Sequence, residues 1–418
     1  MNSGFAAILI GGLSGAALGC GGPGGGGKPI SVPDRPLQDP ALVLLDRPPP
    51  VDAGAAPVIA GGDERPSPRL AAVAVSWPTD RSKAQLHFIS GGAAWSTALA
   101  VSADGSTPIG VAQAAGGQQE AVRWRDGTMT PLGMLDLPGR DSSMAWAVSR
   151  NGDVVVGAST ATETSAVPVI WRGDAPLATL PLPSGTDSAE ARAVSRDGSI
   201  ITGCTTETCN QILRWTAGTA LPVDVPQPFS LAAHAMSEDG AVLAGTIGSE
   251  PEEGLRIAIT GSGAVERRGA GSHVEGISDD GKVMVGNIGP RAVLWRGKTV
   301  TELGMVPGYD TCHARAVSAD GGRVIGNCVR APRFIPAADD RDGPPPDDPQ
   351  SSVAFIWDKK AGIRPVAAAI EKAGGGTLAA GIWLDEAFDI CGYGLTLVGN
   401  GRGPNGARSE AWMAIVPR

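Results

Sequence analysis

Short apolar segments alternate with polar turns along most of the chain. The stretches AVSADGSTPIG at 100–110, AVSRNGDVVVG at 147–157, AVSRDGSIITG at 193–203 and AVSADGGRVIG at 316–326 share one pattern. An apolar strand leads into a Ser-x-Asp-Gly turn, and a second strand ends in Gly. A third strand ends in Trp ("AVRW", "PVIW", "ILRW", "AVLW"), and a short Leu-Gly or Leu-Pro strand follows. Runs of this length bounded by Gly, Asn and Asp predict strands and hairpins, so each unit predicts four antiparallel strands.

The unit recurs every 40 to 47 residues, as the spacing of its turn glycines shows. These glycines are Gly105, Gly152, Gly198, Gly240, Gly281 and Gly321. A degraded seventh copy, ICGYGLTLVG at 390–399, is followed by SEAWMAIVP at the place of the Trp strand. Four strands in each unit of this length are typical of a β-propeller blade.

The two ends of the repeat region complement each other. The seventh unit stops before its fourth strand, whereas QLHFIS at 85–90 is a fourth-strand segment without a blade of its own. Pairing the two would close the ring and protect its edges. The sequence therefore predicts an all-β, seven-bladed propeller of four-stranded blades over residues 84–418, closed by an N-terminal strand. An insertion loop at 331–352 and a short helix at 365–375 interrupt it.

The repeated polar and aromatic positions are predicted to hold the scaffold. Gly supplies the positive φ of the turn, while Ser and Asp accept local hydrogen bonds. Asn151 replaces Asp in the second copy, which suits a turn better than catalysis. The regular Trp position predicts packing between blades. It is filled by Trp124, Trp171, Trp215, Trp295, Trp357 and Trp412, with Ile259 in the fourth unit.

The region before the repeats has a different composition. The run FAAILIGGLSGAALGC at 5–20 is apolar and resembles a bacterial lipoprotein signal over residues 1–20, with Ala17, Leu18 and Gly19 before the lipidated Cys20. A signal peptide without lipidation is the alternative. Residues 21–83, rich in Gly and Pro, are predicted to form a flexible tether.

The whole chain has a net charge of −9 and no basic run, which argues against nucleic acid as a partner.

The repeats resemble the HAF-repeat family of bacterial extracellular proteins. The segments SMAWAVSRNGDVVVGAS and EAVRWRDGTMTPLGMLDLPG, and the ending GNGRGPNGARSEAWMAIVP, carry this likeness. The resemblance implies an exported, propeller-like protein at the outer membrane or cell surface, or otherwise in the periplasm or outside the cell. It implies no catalytic residues and no cofactor.

The cysteines other than Cys20 suggest disulfides, which suit an exported protein. Cys204 and Cys209 flank a predicted hairpin, and Cys312 and Cys328 lie symmetrically about a Ser-x-Asp-Gly turn. We expect each of these two pairs to be bonded, and Cys391, at a framework Ser position, to be a buried thiol.

Candidate binding residues lie on the innermost strands. Three residues before the turn Ser, the units differ from one another: Leu99, Trp146, Arg192, His234, Glu275, Arg315 and Phe388. In repeat scaffolds, positions that vary between units face partners. We call these seven residues the variable ring and hypothesise that it contacts a ligand or a protein segment.

Three histidines, His234, His273 and His313, fall close to these positions in consecutive units. We interpret them as solvated or hydrogen-bonded side chains, with a metal site as the alternative. The sequence shows no nucleophile elbow, dinucleotide motif or phosphate loop. It therefore favours a lipid-anchored interaction module. An envelope hydrolase or lyase with a site at the channel mouth and a structural surface component are the alternatives.

Overall fold

The computed structural model describes residues 70–418, except 114–116, 137–141, 161–164, 206–210, 224–230, 248–251, 261–262, 332–350, 392–393 and 404–408. The side chains of 231–234 also lie outside the described set. The predicted signal peptide with Cys20, most of the tether and most of the insertion loop therefore fall outside the described residues.

Seven antiparallel sheets form the predicted β-propeller, with the strands of each sheet in chain order from the innermost outward. Blade 1 contains β3 (Trp95–Val101), β4 (Pro108–Gln113), β5 (Gln119–Arg125) and β6 (Thr128–Pro131). Blade 2 contains β7 (Ser142–Val148), β8 (Val154–Thr160), β9 (Ala166–Arg172) and β10 (Ala178–Thr179). Blade 3 contains β11 (Ala189–Val194), β12 (Ile200–Thr205), β13 (Ile212–Thr216) and β14 (Thr219–Val223). Blades 4 and 5 contain β15 (Leu231–Met236), β16 (Val242–Ile247), β17 (Glu253–Ala258) and β18 (Val265–Ala270), and β19 (Ser272–Ile277), β20 (Val283–Ile288), β21 (Arg291–Arg296) and β22 (Thr299–Gly304). Blade 6 contains β23 (Thr311–Val317), β24 (Arg323–Val329), β25 (Ser352–Asp358) and β26 (Gly362–Pro365), and blade 7 begins with β27 (Trp383–Cys391), β28 (Thr396–Arg402) and β29 (Glu410–Ile415).

The ring closes as the sequence predicts. Strand β2 (Gln85–Phe88) pairs antiparallel with β29, from Gln85 opposite Ile415 to Phe88 opposite Trp412, and so supplies the fourth strand of blade 7. Each innermost strand contacts the next, and β27 contacts β3. Because the first and last blades are joined by the N-terminal strand, the ring has no open seam between them.

Structure begins before residue 84, inside the segment expected to be a tether. Strand β1 (Val73–Ala74) pairs with β6 as a fifth, outermost strand of blade 1. Leu70, Val75 and Trp77 pack against the buried cluster of that blade. These side chains bury apolar surface against blade 1. The composition of 21–83, rich in Gly and Pro, predicted a tether because it averages over a wider segment than these few residues.

Between blades 6 and 7 the chain forms a short helix, α1 (Val366–Ile370), continued by one wider π-helical turn over Glu371–Gly375. Val366, Ala369 and Ile370 are buried in the core shared by the last two blades. No helix within the described ranges is long and apolar enough to cross a bilayer.

The Ser-x-Asp-Gly turn is a hydrogen-bonded scaffold, as predicted. In blade 1 the Ser102 hydroxyl donates to Asp104 at 2.6 Å and accepts from the backbone N–H of Thr107 at 2.9 Å. The same two bonds recur at Ser195, Ser237, Ser278 and Ser318. The buried Ser hydroxyl is thus fully engaged and ties the turn to the second strand.

The regular Trp position packs in the core, with two corrections to the sequence alignment. Four of these side chains are at most 2% exposed: Trp124, Trp171, Trp215 and Trp295. On the third strand of its blade, each Trp lies two residues after the residue that pairs with the strand-ending Gly. In blade 4 that place belongs to Ile257, not to Ile259. In blade 7 Trp412 faces Gly399 directly, so it is buried but sits two residues out of register with the others.

One of the two expected disulfides is confirmed. Cys312 and Cys328 lie opposite each other on β23 and β24 and are bonded, with Cα atoms 4.0 Å apart. Cys209 lies outside the described residues, so its pairing with Cys204 stays a prediction. Cys391 is fully buried, as expected, but it is not a free thiol.

Candidate functional site

Every innermost strand carries a β-bulge at the same place. The pairing register of the first two strands of each blade slips by one residue there. The extra residues are Leu99, Trp146, Arg192, His234, Glu275, Arg315 and Phe388, which are the seven members of the variable ring. A bulge changes the direction in which its extra side chain points and interrupts the hydrogen-bond pairing of the two strands at that residue. The structure therefore gives the variable ring a common backbone geometry that the sequence did not reveal.

The strand-ending glycine of the repeat is explained by this bulge. In blade 2, Gly157 lies opposite Ala145, next to the bulged Trp146. A Cβ on Gly157 would overlap the backbone carbonyl of Met144. The equivalent clash would arise at Gly110, Gly203, Gly286, Gly326 and Gly399. Only glycine lets the second strand approach this closely.

One side of the variable ring is apolar. Leu99, Trp146 and Phe388, from the adjacent blades 1, 2 and 7, belong to one buried cluster and are at most 3% exposed. Trp95 and Met144 pack against this cluster and are partly exposed. We call this set the apolar wall.

The other side of the variable ring is charged. Arg315 lies 4.0 Å from Glu275 and 3.8 Å from Glu386, measured between guanidinium nitrogens and carboxylate oxygens. Its guanidinium also lies 5.8 Å from the ring centroid of Phe388, which joins this charged wall to the apolar wall. At the other junction Arg192 stacks 4.1 Å over the Trp146 ring and pairs with Glu190 at 2.5 Å. Both arginines thus combine an ion pair with cation–π contact.

A second layer of side chains lies two positions before each bulge. It contains Met144, Glu190, His273, His313 and Glu386, all partly buried. The sequence analysis singled out only the two histidines at this offset. Glu190 and Glu386 were missed, although they stand five residues before the turn Ser or its equivalent, as the histidines do.

Burial changes the protonation of three groups on the charged wall. It lowers the pKa of His313, and the charge of Arg315 lowers it further. Burial raises the pKa of Glu386, against the opposing charge of Arg315. Burial also raises the pKa of Asp385, which is the extra residue of a second bulge in β27, to about 6. A neutral imidazole therefore lies in a region whose carboxyls take up protons readily.

The histidines have separate partners. His273 pairs with Glu252, and the ring N–H of His313 donates to Asn287 over 3.3 Å. The side chain of His234 lies outside the described residues. Within the described ranges no three His, Cys, Asp or Glu side chains are grouped as a metal site would need. The metal hypothesis for these histidines stays a prediction.

The turn end of the ring carries a charge cluster that the sequence analysis missed. In blades 1 to 4 the residue after the turn Ser donates its backbone N–H to the carbonyl at the same position of the next blade, along the series Ala103, Arg150, Arg196, Glu238 and Asp279. Glu238 pairs with Arg150 at 2.7 Å and with Arg196 at 3.1 Å. Burial, and then the charge of Glu238, raise the pKa of Asp279 to about 8. Neither carboxyl oxygen of Asp279 has a hydrogen-bond partner among the described residues, so burial and the nearby charge of Glu238 together favour the protonated form of this carboxyl between blades 4 and 5.

No family model matches the sequence, and no curated protein matches it. Among solved structures the chain is similar to an oligogalacturonate lyase in complex with manganese, with a TM-score of 0.50 and 11% identity over 83% of this chain and 98% of that one. It is also similar to TolB from Acinetobacter baumannii, with a TM-score of 0.35 and 16% identity over 54% of this chain and about half, 52%, of that chain. At such identity the first likeness shows the propeller fold and no activity.

Proposed function

We propose that this protein is an exported, lipid-anchored interaction module of the cell envelope, which binds a protein segment or small ligand through the variable ring. The observation that carries the proposal is the recurrence of a bulge at all seven variable positions. A scaffold that carries a bulge in every blade, and in six blades a glycine that only a close strand approach explains, and that places residues differing between blades at these bulges, is organised for recognition.

The composition of the variable ring indicates the kind of partner. The apolar wall exposes Trp95 and Met144, which pack on the buried Trp146 and Phe388. The charged wall carries Arg192 and Arg315 beside carboxylates. Aromatic and arginine side chains are enriched among residues that dominate binding energy. An extended peptide or ligand with one apolar face and one charged face fits both walls.

The anchoring part of the proposal rests on the sequence alone. The lipobox-like residues before Cys20 and the resemblance to HAF-repeat proteins support export, with attachment through lipid on Cys20. The composition of 21–69 supports a spacer between the anchor and the propeller.

Proximity crosslinking in the native envelope, followed by pull-down of the full chain, tests the proposal. We compare the wild-type chain with Trp146→Ala/Arg192→Ala, Cys20→Ala and a control, Leu221→Ala/Arg291→Ala, which removes an exposed apolar and an exposed basic residue from outer strands. A partner captured by the wild type and the control but lost in the ring variant supports channel binding. Release of that partner from the membrane fraction by Cys20→Ala supports anchoring. Capture of the same partners by the ring variant overturns the proposal.

A second function, an envelope hydrolase or lyase, is favoured by one observation. Glu386, which lies beside Arg315, has a raised pKa, and the pKa of the neighbouring His313 is lowered. The pKa of Asp385, next to Glu386 in the chain, is also raised, and perturbed carboxyls are typical of acid–base sites. Turnover of an ester or polysaccharide panel that is abolished in Glu386→Gln, with the fold retained, would support it over the binding module. Absence of turnover by the wild type would count against it.

A further inference from the structure

A cavity of about 560 Å³ lies beside α1, where blades 6 and 7 meet the segment after β29. It is separate from the variable ring, since none of the ring residues lines it. The wall beside α1 exists only because the chain inserts a helix between β26 and β27, which the repeat unit does not contain. Its volume is that of a small-molecule site, well above that of a single inorganic anion.

The lining of this cavity is basic, in a chain whose net charge is −9. Five cationic side chains line it with a single carboxylate, Asp358: Arg323, Lys360, Arg364, Lys372 and Arg418. Small and apolar residues fill the rest of the wall. A cluster of one sign within a low-dielectric wall concentrates counter-ions of the opposite sign.

One of these cations, Arg323, has a structural role in the cavity wall. Arg323 is 6% exposed and donates to three backbone carbonyls, those of Gly394, Val416 and Pro417, over 2.6 to 2.9 Å. It therefore fastens the segment after β29 to blade 6, which makes that wall of the cavity rigid. No described carboxylate shares its charge directly.

The other cations differ in how far they are neutralised. Arg364 pairs with Asp358 at 2.6 Å, and Arg418 pairs with Asp320 at 2.5 Å. Among the described residues no carboxylate pairs with Lys360 or Lys372, and both side chains are exposed at the cavity. Their ammonium groups are the available charges, while Arg364, which donates to Asp358 and to the carbonyl of Gly362, retains further N–H donors.

We propose that this cavity binds a small polyanion, a compound that carries at least two phosphate or carboxylate groups. The two lysines hold one anionic group each, Arg364 adds a charge-assisted hydrogen bond, and the buried Arg323 contributes positive potential. The site goes beyond the proposed function, since it shares no residue with the variable ring.

Calorimetric titration of the full chain with inorganic pyrophosphate, citrate and inorganic phosphate tests this proposal. We expect pyrophosphate or citrate to bind the wild type at least about tenfold more tightly than phosphate, and more weakly as salt is added. In Lys360→Gln/Lys372→Gln the affinity should fall about tenfold or more. The matched control, Lys282→Gln/Lys298→Gln, removes the same charge from turns of blade 5 and should bind as the wild type does.

Each other outcome overturns the proposal. Equal weakening in both double variants would mean that net charge alone attracts the anion. No difference between pyrophosphate, citrate and phosphate would mean that the cavity does not recognise a polyanion, and no binding would mean that it takes no anion. The variant Trp146→Ala/Arg192→Ala should keep its anion affinity, so failure of this site and failure of the channel proposal are distinguishable.

Discussion

Asp389 provides a sharp test of how the last blade is joined to the first. Its side chain is 1% exposed, and its carboxyl accepts the backbone N–H of Val101 in blade 1 at 2.9 Å and that of Ile390 at 2.8 Å. The equivalent position is Ala in five other blades and Gly276 in blade 5. Burial raises the pKa of Asp389 from its ordinary 3.8 to about 8.

The sign of the resulting pH dependence follows from linkage. Since the folded state holds the proton more tightly than the unfolded state, the wild type loses stability as the pH rises from about 4 to about 8. The shift is about four pKa units at about 1.4 kcal/mol each, so the loss is between about 5 and 6 kcal/mol. Asp389→Asn removes this loss. Its amide can accept only one of the two N–H groups, which costs about 1 to 3 kcal/mol at every pH.

We therefore expect the stabilities of wild type and Asp389→Asn to cross. Urea unfolding of both full chains, followed by tryptophan fluorescence between pH 5 and 8, gives the difference in the free energy of unfolding. Relative to the wild type the variant should gain about 3 to 4 kcal/mol between pH 5 and pH 8, and at pH 8 it should be the more stable by about 2 to 4 kcal/mol.

Asp197→Asn is the matched control. The backbone N–H of Ser199, and then the hydroxyl of Ser195, lower the pKa of Asp197, and Asn151 already occupies the same position in blade 2. A carboxyl whose pKa is lowered on folding stabilises the folded state at pH values above its ordinary pKa. This stabilisation is lost only when the pH falls below that ordinary pKa. The difference between this variant and the wild type should therefore stay flat from pH 5 to 8. Parallel curves for Asp389→Asn over the same range would refute the reasoning about Asp389.

Three further predictions concern the scaffold. Gly157→Ala should lower the free energy of unfolding by about 3 kcal/mol or more, because its Cβ would overlap a backbone carbonyl. Gly173→Ala, at a positive φ but in open space, should cost only about 1 to 2 kcal/mol; equal costs in urea unfolding would contradict the bulge explanation. Cys312→Ala/Cys328→Ala opens a loop of sequence separation 16 and should cost about 3 kcal/mol, so an unchanged unfolding midpoint would count against a stabilising bond. Asp279→Asn should become more stable relative to the wild type between pH 5 and pH 8, since the pKa of Asp279 is raised to about 8, and a pH-independent difference in melting temperature would argue against this raised pKa.

Local chemistry made most of the fold predictable. Strand length, turn residues and their repetition at 40 to 47 residues depend on near neighbours in the chain, so the seven blades and the closure by 85–88 could be predicted from the sequence. The cross-strand pair Cys312–Cys328 followed from symmetry about a turn. The seven variable positions were found by the same alignment, because a repeat makes deviation visible.

The remaining features depend on contacts between segments distant in the chain. A bulge is a property of two paired strands, so the reason for Gly157 and for the projection of Trp146 appeared only with the register. Trp412 and Ile257 show the same limit. When the pairing of two strands shifts, residues that align in the repeat sequence no longer occupy equivalent positions in their blades. Whether residues 70–83 pack or remain a tether depends on the face of blade 1 that receives them.

The charged features were the least visible in the sequence. Asp389, Glu386 and the pair Glu238–Asp279 are ordinary carboxylates in the sequence, and only burial between blades raises the pKa of Asp389, Glu386 and Asp279. The basic cavity gathers Arg323, Lys360 and Arg418 from segments up to 95 residues apart, in a chain whose composition is acidic. The sequence by itself determined the strands, turns and repeat number, because those are set by local propensity; the tertiary structure decided protonation, register and the site lining, because those depend on what each side chain meets across space.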